Sequence, residues 1–190
     1  MKFKNIIVTL LFISVLVSFK TLRNDDTIKW QKDRKLTWED FRGRPDSGNP
    51  NSAMTDSGFG FSTGNNNGDS IPLTIEMVFD KNKSWVKKKA ETEKLLAHEQ
   101  CHFDITELFT RKFKKQIVEA KFKRKTFAKQ IHDLYEKTNK EWHSYQNDYD
   151  KETNHSKIED KQQEWEEKVA KELNELNDFT METIVVYIGK

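Results

Sequence analysis

Cysteine, proline and glycine are all scarce in this chain of 190 residues. Its single cysteine, Cys101, excludes an internal disulfide and with it the small folds that depend on several disulfides. No proline follows Pro72, and no glycine lies between Gly68 and Gly189. Because these two residues are the usual interruptions of a helix, the second half of the chain is predicted to form long helices.

The sequence also has no excess of charge of one sign. It carries 33 Lys and Arg residues against 31 Asp and Glu residues, which gives a formal net charge of +2. A nearly neutral chain lacks the basic excess typical of nucleic-acid-binding proteins, so we expect no nucleic-acid partner. The 13 phenylalanines and five tryptophans supply enough large apolar side chains for a core, and they argue against a disordered chain.

The apolar run near the N-terminus is too short for an ordinary membrane span. It extends from Ile6 to Val17 and follows Lys2 and Lys4, an order typical of a secretory signal. No clear pair of small residues marks a cleavage site, so residues 1–20 are predicted to be either a signal peptide or an uncleaved N-terminal anchor. Removing them leaves 30 basic and 31 acidic residues. We therefore expect a single exported domain over residues 21–190, periplasmic or extracellular, with membrane contact only if the segment is uncleaved.

The segment before residue 80 shows the period-two pattern of strands. Phe59 and Phe61 alternate with small or polar residues, and residues 71–79 are apolar at every second position, as in a sheet with one buried face. The Asn- and Gly-rich segment between them, residues 63–69, predicts a hairpin. A short capped helical turn is predicted just before, at Trp38 to Asp40.

Helical spacing dominates from Ser84 to Leu176. We predict a first helix capped by Ser84 that continues past residue 113, a second over the apolar stripe at 131–149, and a third at 158–176. A capping box from Ser156 to Glu159 would start the third helix. With a last strand at 183–188, the predicted fold class is α+β: a small antiparallel sheet packed on several long helices.

One short motif points to metal chemistry. Residues 98–102 read His-Glu-Gln-Cys-His and match the zinc-protease pattern H-E-x-x-H. On a helix, His98 and His102 lie about 40° apart on one face, so both imidazoles can reach one ion. Glu99 lies at the edge of that face. The alternative is a pair of core histidines bonded to backbone carbonyls, but one Zn²⁺ ion would satisfy both rings at once.

A catalytic zinc site needs a third protein ligand and one open position. His132 and His143 lie away from the apolar stripe of their helix and are expected to be solvated. His155, just before the third helix, is free to point inward and is the preferred third ligand. The remaining candidates are Asp150, Glu152 and Glu107.

The expected chemistry is metal-assisted amide hydrolysis. Glu99 would act as general base, and a phenol such as Tyr149 or Tyr145 would help to stabilise the developing oxyanion. Asp104 and Glu107 are candidate partners for the histidine N–H groups. Cys101 is interpreted as a small packing residue rather than a ligand.

Several segments of the chain resemble a bacterial family described as secreted zinc-dependent proteases, domain of unknown function 922. The matching segments are 36–45, 95–107 and 149–165, with Ala53 and Thr55. The family patterns H-E-Q-G-H and T-x-H-G have glycine where this chain has Cys101 and Ser156. The resemblance implies a zincin-like metallopeptidase that holds one zinc ion and acts on a peptide or protein substrate.

Two other functions are compatible with the sequence. One is a non-catalytic, metal-stabilised or metal-free binding domain, which would need the same ligands but not Glu99. The other is a helical interaction protein of the cell envelope that uses its charged helix faces. The basic run from Arg111 to Lys125 is predicted to be a solvated helix face, because Phe109, Phe113 and Ile117 line one apolar side beneath it.

Overall fold

A computed structural model describes residues 26–65 and 68–189. The segment interpreted as a signal or anchor, residues 1–20, lies outside the described residues. The helices are α1 (Glu93–Glu119), α2 (Phe127–Thr153) and α3 (Glu159–Glu175). The strands are β1 (Thr27–Ile28), β2 (Ala53–Met54), β3 (Ser57–Thr63), β4 (Ser70–Asp80), β5 (Trp85–Val86), β6 (Phe122–Lys123) and β7 (Thr183–Gly189). A 3-10 turn spans Trp38–Asp40.

The main sheet is built around β4, and it confirms the α+β prediction. β3 pairs with one edge of β4 along 73–79, as the predicted hairpin requires. β7 and β1 share the other edge, at 70–74 and at 79–80, and both are antiparallel to β4. The sheet also contains two short strands that were not predicted individually: β1, and β6, which follows α1 and adds to β7 in parallel. It is therefore mixed rather than wholly antiparallel.

The core lies between the inner face of this sheet and α1. The period-two pattern of β4 is confirmed, since Leu73 and Phe79 are fully buried and the side chains between them at 75 and 77 are also buried. Phe79 packs edge-on against Phe103 of α1, with 5.5 Å between ring centroids. α2 and α3 cover the other sides of α1. The helix that carries the H-E-x-x-H motif is therefore the central element of the fold.

The first helix begins later than predicted. Thr92 is its N-cap, and the Thr92 hydroxyl accepts from Leu95 N at 3.2 Å. Ser84, the predicted cap, is instead fully buried, and its hydroxyl donates to Asp80 O at 2.8 Å. That bond closes the turn between β4 and β5. The same hydroxyl accepts from Asp56 N at 2.9 Å, a tertiary contact that a local capping pattern does not reveal.

The junction between α2 and α3 also differs in detail from the prediction. α3 begins at Glu159 with Ile158 as N-cap, so Ser156 does not form the predicted capping box. Asn154, His155 and Ser156 all have left-handed backbone conformations, with φ of 49°, 51° and 69°. His155 N donates to Asp150 O at 3.0 Å, which closes the end of α2. The prediction that His155 lies at a helix–helix junction is confirmed.

The basic run after residue 111 is only partly a solvated face. Lys121, Lys123 and Lys125 are exposed, but Arg111 and Lys114 are each 4% exposed. The prediction was wrong at these two positions because α1 is covered on several sides. Within 26–65 and 68–189, no helix has the length and apolar character needed to cross a membrane.

Candidate metal centre

The two histidines of the motif lie on one buried face of α1. His98 is 2% exposed, and only a small part of the His102 side chain reaches the surface. Their Nε2 atoms are 3.2 Å apart, and the two rings are nearly perpendicular. The spacing of four residues therefore brings both imidazoles to one point, as the motif predicts.

Asp150 of α2 completes a triangle with these two nitrogens. Its Oδ1 atom is 3.1 Å from His98 Nε2 and 3.1 Å from His102 Nε2. Two donors bound at about 2.0–2.1 Å to a tetrahedral zinc ion are about 3.3–3.4 Å apart. The three atoms thus have the spacing of one face of a zinc coordination tetrahedron.

His155 lies beside this triangle, on the turn after α2. Its Nδ1 atom is 3.2 Å from Asp150 Oδ1, and the side chain is about half exposed. Donor atoms of His98, Asp150 and His155 all lie within 4.8 Å of one another. The chain therefore offers four atoms that could bind a metal ion, namely three nitrogens and one carboxylate oxygen. The carboxylate oxygen lies within 3.2 Å of each of the three nitrogens.

The charges of the cluster are mutually dependent. Burial raises the pKa of Asp150, but the hydrogen bonds and charges of His102 and His98 outweigh it and hold that pKa well below its usual range. Burial lowers the pKa of His102, but the hydrogen bond with Asp150 and the charges of Glu99 and Asp150 raise it above its ordinary value. The protein environment therefore favours positive charge between these side chains.

Two glutamines back the histidine rings. Gln162 Oε1 of α3 is 3.0 Å from His98 Nδ1, and Gln146 Oε1 of α2 is 2.6 Å from His102 Nδ1. The carboxylates predicted for this place lie elsewhere. Asp104 accepts hydrogen bonds from Trp30 and Gln100, and Glu107 pairs with Arg111 at 2.8 Å.

Glu99 is buried, and its carboxylate is held by a residue outside α1. Thr55, between β2 and β3, donates its hydroxyl to Glu99 Oε2 at 2.7 Å. Glu99 is 4% exposed, and its negative charge contributes to the raised pKa of His102. The Glu99 carboxylate is thus held in one orientation by Thr55, and its charge acts on the histidine pair.

Tyr149 packs against the centre rather than pointing into it. Its ring stacks on His98 with 4.6 Å between centroids and an angle of 21°. The hydroxyl donates to His98 O at 3.3 Å and accepts from Gln162 Nε2 at 2.6 Å. Tyr145 bonds to Glu172 and lies apart from this cluster. The oxyanion role predicted for Tyr149 stays a prediction, and the geometry favours a supporting role.

The other candidates from the sequence are placed away from the centre. Glu152 accepts from Trp165 Nε1 at 2.8 Å, while His132 and His143 are exposed, as expected. Cys101 is free and buried, and burial raises the pKa of its thiol above the usual range. Its role as a packing residue is consistent with that burial.

A family model for bacterial proteins of unknown function, DUF922, matches residues 44–156. The chain belongs to the DUF922 family. The DUF922 match includes Glu99 and all four donors and ends directly after His155, whereas Gln162 lies beyond it. No curated protein and no solved structure matches the chain.

Three polar residues of this DUF922 site were not predicted as functional: Gln146, Gln162 and Thr55. Gln146 precedes Asp150 by four residues and so shares its helix face, which is the one local signal that points to it. Gln162 and Thr55 come from a different helix and a loop. Their proximity to the motif depends on the packing of whole elements.

Proposed function

We propose that this DUF922 protein is an exported zinc-dependent peptidase that hydrolyses peptide bonds. The observation that supports it best is the convergence of His98 Nε2, His102 Nε2 and Asp150 Oδ1 at 3.1–3.2 Å. Three acceptor atoms this close together, in a largely buried site, need a cation or protons among them. The N-terminal apolar run, residues 6–17, supports export.

The donor set favours zinc over the hard cations. Imidazole nitrogens with one carboxylate suit Zn²⁺, whereas Ca²⁺ and Mg²⁺ prefer sites made of oxygen ligands. His98, His102 and Asp150 would hold the ion, and His155 would provide a fourth donor or a neighbouring proton carrier. When bound, a zinc ion supplies a Lewis acid that lowers the pKa of a water molecule to about 7.

Glu99 is the general base in this proposal. The Thr55 hydroxyl holds Oε2, and among the described residues no hydrogen bond engages Oε1. Oε1 would accept the proton of the attacking water and pass it to the nitrogen of the leaving amine. Thr55 would keep the carboxylate in one rotamer during both transfers.

The sheet offers one strand for an extended peptide. The two candidate segments near α1 are 71–79 and 52–63. β4, which contains the first, is paired on both edges, whereas β3 pairs only with β4 among the described residues. A substrate strand would therefore add to the outer edge of β3, where the Tyr135 hydroxyl now donates to Phe59 O at 3.2 Å.

A second function is favoured by the number of donors. If His98, His102, Asp150 and His155 all bind one ion, the four positions of a tetrahedral zinc are filled and none remains for a substrate. The centre would then be a structural zinc site in a binding domain, and Glu99 would have no chemical role.

Metal content and hydrolysis of fluorescein-labelled casein distinguish these functions. The measurements compare the wild-type protein without residues 1–20 with its Glu99→Gln, His98→Ala and His132→Ala variants. His132→Ala is the control, because His132 is exposed and lies away from the centre. The peptidase proposal predicts that wild type and Glu99→Gln each bind one zinc ion. Hydrolysis by Glu99→Gln should nevertheless be at least about 100-fold slower than hydrolysis by wild type. His98→Ala should lose zinc and hydrolysis, and His132→Ala should lose neither.

Two results would overturn the peptidase proposal. Stoichiometric zinc without hydrolysis of casein or of a peptide library by the wild type would favour the structural site. Equal hydrolysis by the wild type and Glu99→Gln would exclude Glu99 as the base.

A further inference from the structure

We infer that Gln146 and Gln162 are positioning residues that fix both motif histidines in the Nδ1–H tautomer and so turn both Nε2 lone pairs toward Asp150. The inference rests on the proposed metal function, because the tautomer matters most when Nε2 must bind an ion. It adds two residues from α2 and α3 to a site whose motif lies entirely on α1.

The orientation of the Gln146 amide follows from its other contacts. Its Nε2 group donates to the backbone carbonyl of His102 at 3.0 Å and to Thr106 Oγ1 at 3.3 Å. A carbonyl oxygen only accepts, so the NH₂ end of the amide must face it. The oxygen end is then left for His102 Nδ1, at 2.6 Å. An amide oxygen also only accepts, so His102 Nδ1 must carry the proton.

Gln162 is oriented by the same logic on the other side of the centre. Its Nε2 group donates to the Glu166 carboxylate at 2.7 Å and to the Tyr149 hydroxyl at 2.6 Å. The carboxylate of Glu166 is an acceptor, so the amide oxygen faces His98 Nδ1 at 3.0 Å. Gln162 is itself buried, at 6% exposed, so no bulk water competes for that oxygen.

The two assignments together set the chemistry of the centre. With the protons on Nδ1, neutral His98 and His102 both present a lone pair at Nε2, and these atoms are 3.2 Å apart beside Asp150 Oδ1. A ring with the opposite tautomer would present N–H to the cation instead and would lose its amide partner. Outer hydrogen bonds of this kind fix ring orientation and raise the basicity of a histidine ligand.

The test uses variants that separate hydrogen bonding from packing. Gln146→Leu and Gln162→Leu keep the bulk and remove the acceptor. Gln116→Leu is the matched control, because Gln116 is a half-buried glutamine at the α1–α2 interface that bonds to Thr138 rather than to a histidine.

Two readouts are measured. Zinc affinity is obtained by competition with a chelator, and the protonation of each ring nitrogen in metal-free protein is obtained from long-range ¹H–¹⁵N correlation spectra. We expect Nδ1 of both motif histidines to carry a proton in the wild type, with any further proton at Nε2 shared with Asp150. Each leucine variant should weaken zinc binding about 10–100-fold, while Gln116→Leu should stay within about threefold of wild type.

Several outcomes would overturn the inference. An unprotonated Nδ1 in both wild-type histidines would do so without any metal measurement. Wild-type zinc affinity in both leucine variants would also do so, as would an equal loss in Gln116→Leu. If the wild type binds no zinc, the proposed function fails, but the spectra still decide whether the glutamines fix the tautomers.

Discussion

Ser156 has the largest positive φ of the three left-handed residues beside the centre. Its φ of 69° follows two other left-handed residues, Asn154 and His155. For a residue with a Cβ atom this conformation costs about 1–2 kcal/mol, and only glycine adopts it freely. The T-x-H-G pattern that this segment resembles has glycine here, and a left-handed conformation favours glycine. The turn needs this left-handed conformation in order to reverse the chain between α2 and α3 and to hold His155 beside Asp150.

Replacing Ser156 by glycine should therefore stabilise the protein. Glycine relieves the left-handed strain but adds freedom to the unfolded chain, so we expect a net gain of about 0.5–1 kcal/mol in the free energy of unfolding. Urea denaturation of metal-free protein measures it. Ser144→Gly, the same change at an exposed position inside α2, should instead lose about 0.5 kcal/mol. A loss of similar size in both variants would show that Ser156 is not strained.

Helix periodicity predicts the part of the site that lies on α1, but not the contributions of α2 and α3. His98, Glu99 and His102 follow from local spacing, because four residues on a helix span about one turn. The choice between Asp150 and His155 depends on how α2 meets α1, and the structure places both beside the pair. Gln162 lies in a segment that resembles the family, but its role depends on the packing of α3, which brings its side chain against His98.

At the scale of elements, the central helix α1 is unusual in burying charge. Arg111 donates to Glu107 Oε1 and to Leu173 O, at 2.8 and 2.9 Å, and Lys114 donates to Thr180 O at 3.4 Å. Burial lowers the pKa of Lys114 below its ordinary value, although Glu107 opposes the shift. A basic run on one helix predicts a solvated face only when one side of that helix is open, and α1 is covered by the sheet and both other helices.

Lys114→Met should flatten the pH dependence of stability. A lysine whose pKa is lowered in the folded state binds fewer protons there, so its contribution to stability increases as the pH rises toward the unfolded pKa of about 10.4. We expect the wild type to gain that stability with rising pH and Lys114→Met to lack the gain. At pH 7 the variant should be as stable as wild type or up to about 1 kcal/mol more stable.

Lys115→Met is the matched control for this prediction. Lys115 is the next residue on α1. Its side chain is about half exposed, and its Nζ atom lies 3.8 Å from Glu119 Oε1. Such a surface pair contributes little, so the variant should keep the wild-type pH profile within about 0.5 kcal/mol. Chemical denaturation between pH 6 and about 10 measures all three proteins. If the free energy of unfolding rises with pH in Lys114→Met as much as in the wild type, the pH dependence does not come from Lys114.

The loop before β2 is held to the β4–β5 turn by a close backbone approach at Gly43. Gly43 N donates to Ser84 O at 2.7 Å, and a Cβ atom on Gly43 would lie 2.7 Å from that oxygen and 2.9 Å from Asn82 O. Because both obstacles are backbone atoms, Gly43→Ala should cost about 1–3 kcal/mol. Gly60→Ala, on β3 with nothing within 4 Å, should instead gain up to about 1 kcal/mol, because alanine reduces the conformational freedom of the unfolded chain. Thermal unfolding of the two variants compares them directly, and equal stability would exclude the close approach.

The elements themselves were largely predictable, whereas their ends were not. The period-two pattern of residues 71–79 and the helical stripe at 131–149 predicted β4 and α2, because burial of one face imposes the period directly. Ser84 and Ser156 have the side chains of helix caps, but they serve a turn and a left-handed bend. Those roles depend on contacts with distant elements.

At the scale of the whole molecule, the candidate centre joins all three helices. His98 comes from α1, Asp150 from α2 and His155 from the turn that leads to α3, while Gln162 connects α3 to His98. An ion held there would cross-link the helices in the folded state only. Metal binding should therefore be linked to folding stability.

Zinc should raise the melting temperature of the wild type and not that of a ligand variant. At a free zinc concentration 100 times the dissociation constant, the gain is about 2.7 kcal/mol, or roughly 5–10 °C for a domain of this size. His98→Ala should show almost no shift, and magnesium should shift neither protein. Differential scanning fluorimetry with and without a chelator measures it. A shift of similar size in His98→Ala would place the zinc elsewhere.

Anomalous diffraction at the zinc edge from crystals grown with one equivalent of zinc tests the metal site most directly. The expected result is a single peak about 2.0–2.2 Å from His98 Nε2, His102 Nε2 and an oxygen of Asp150. A zinc-loaded crystal with no peak between these three side chains, or with its peak at other residues, would contradict the metal centre and the peptidase proposed from it.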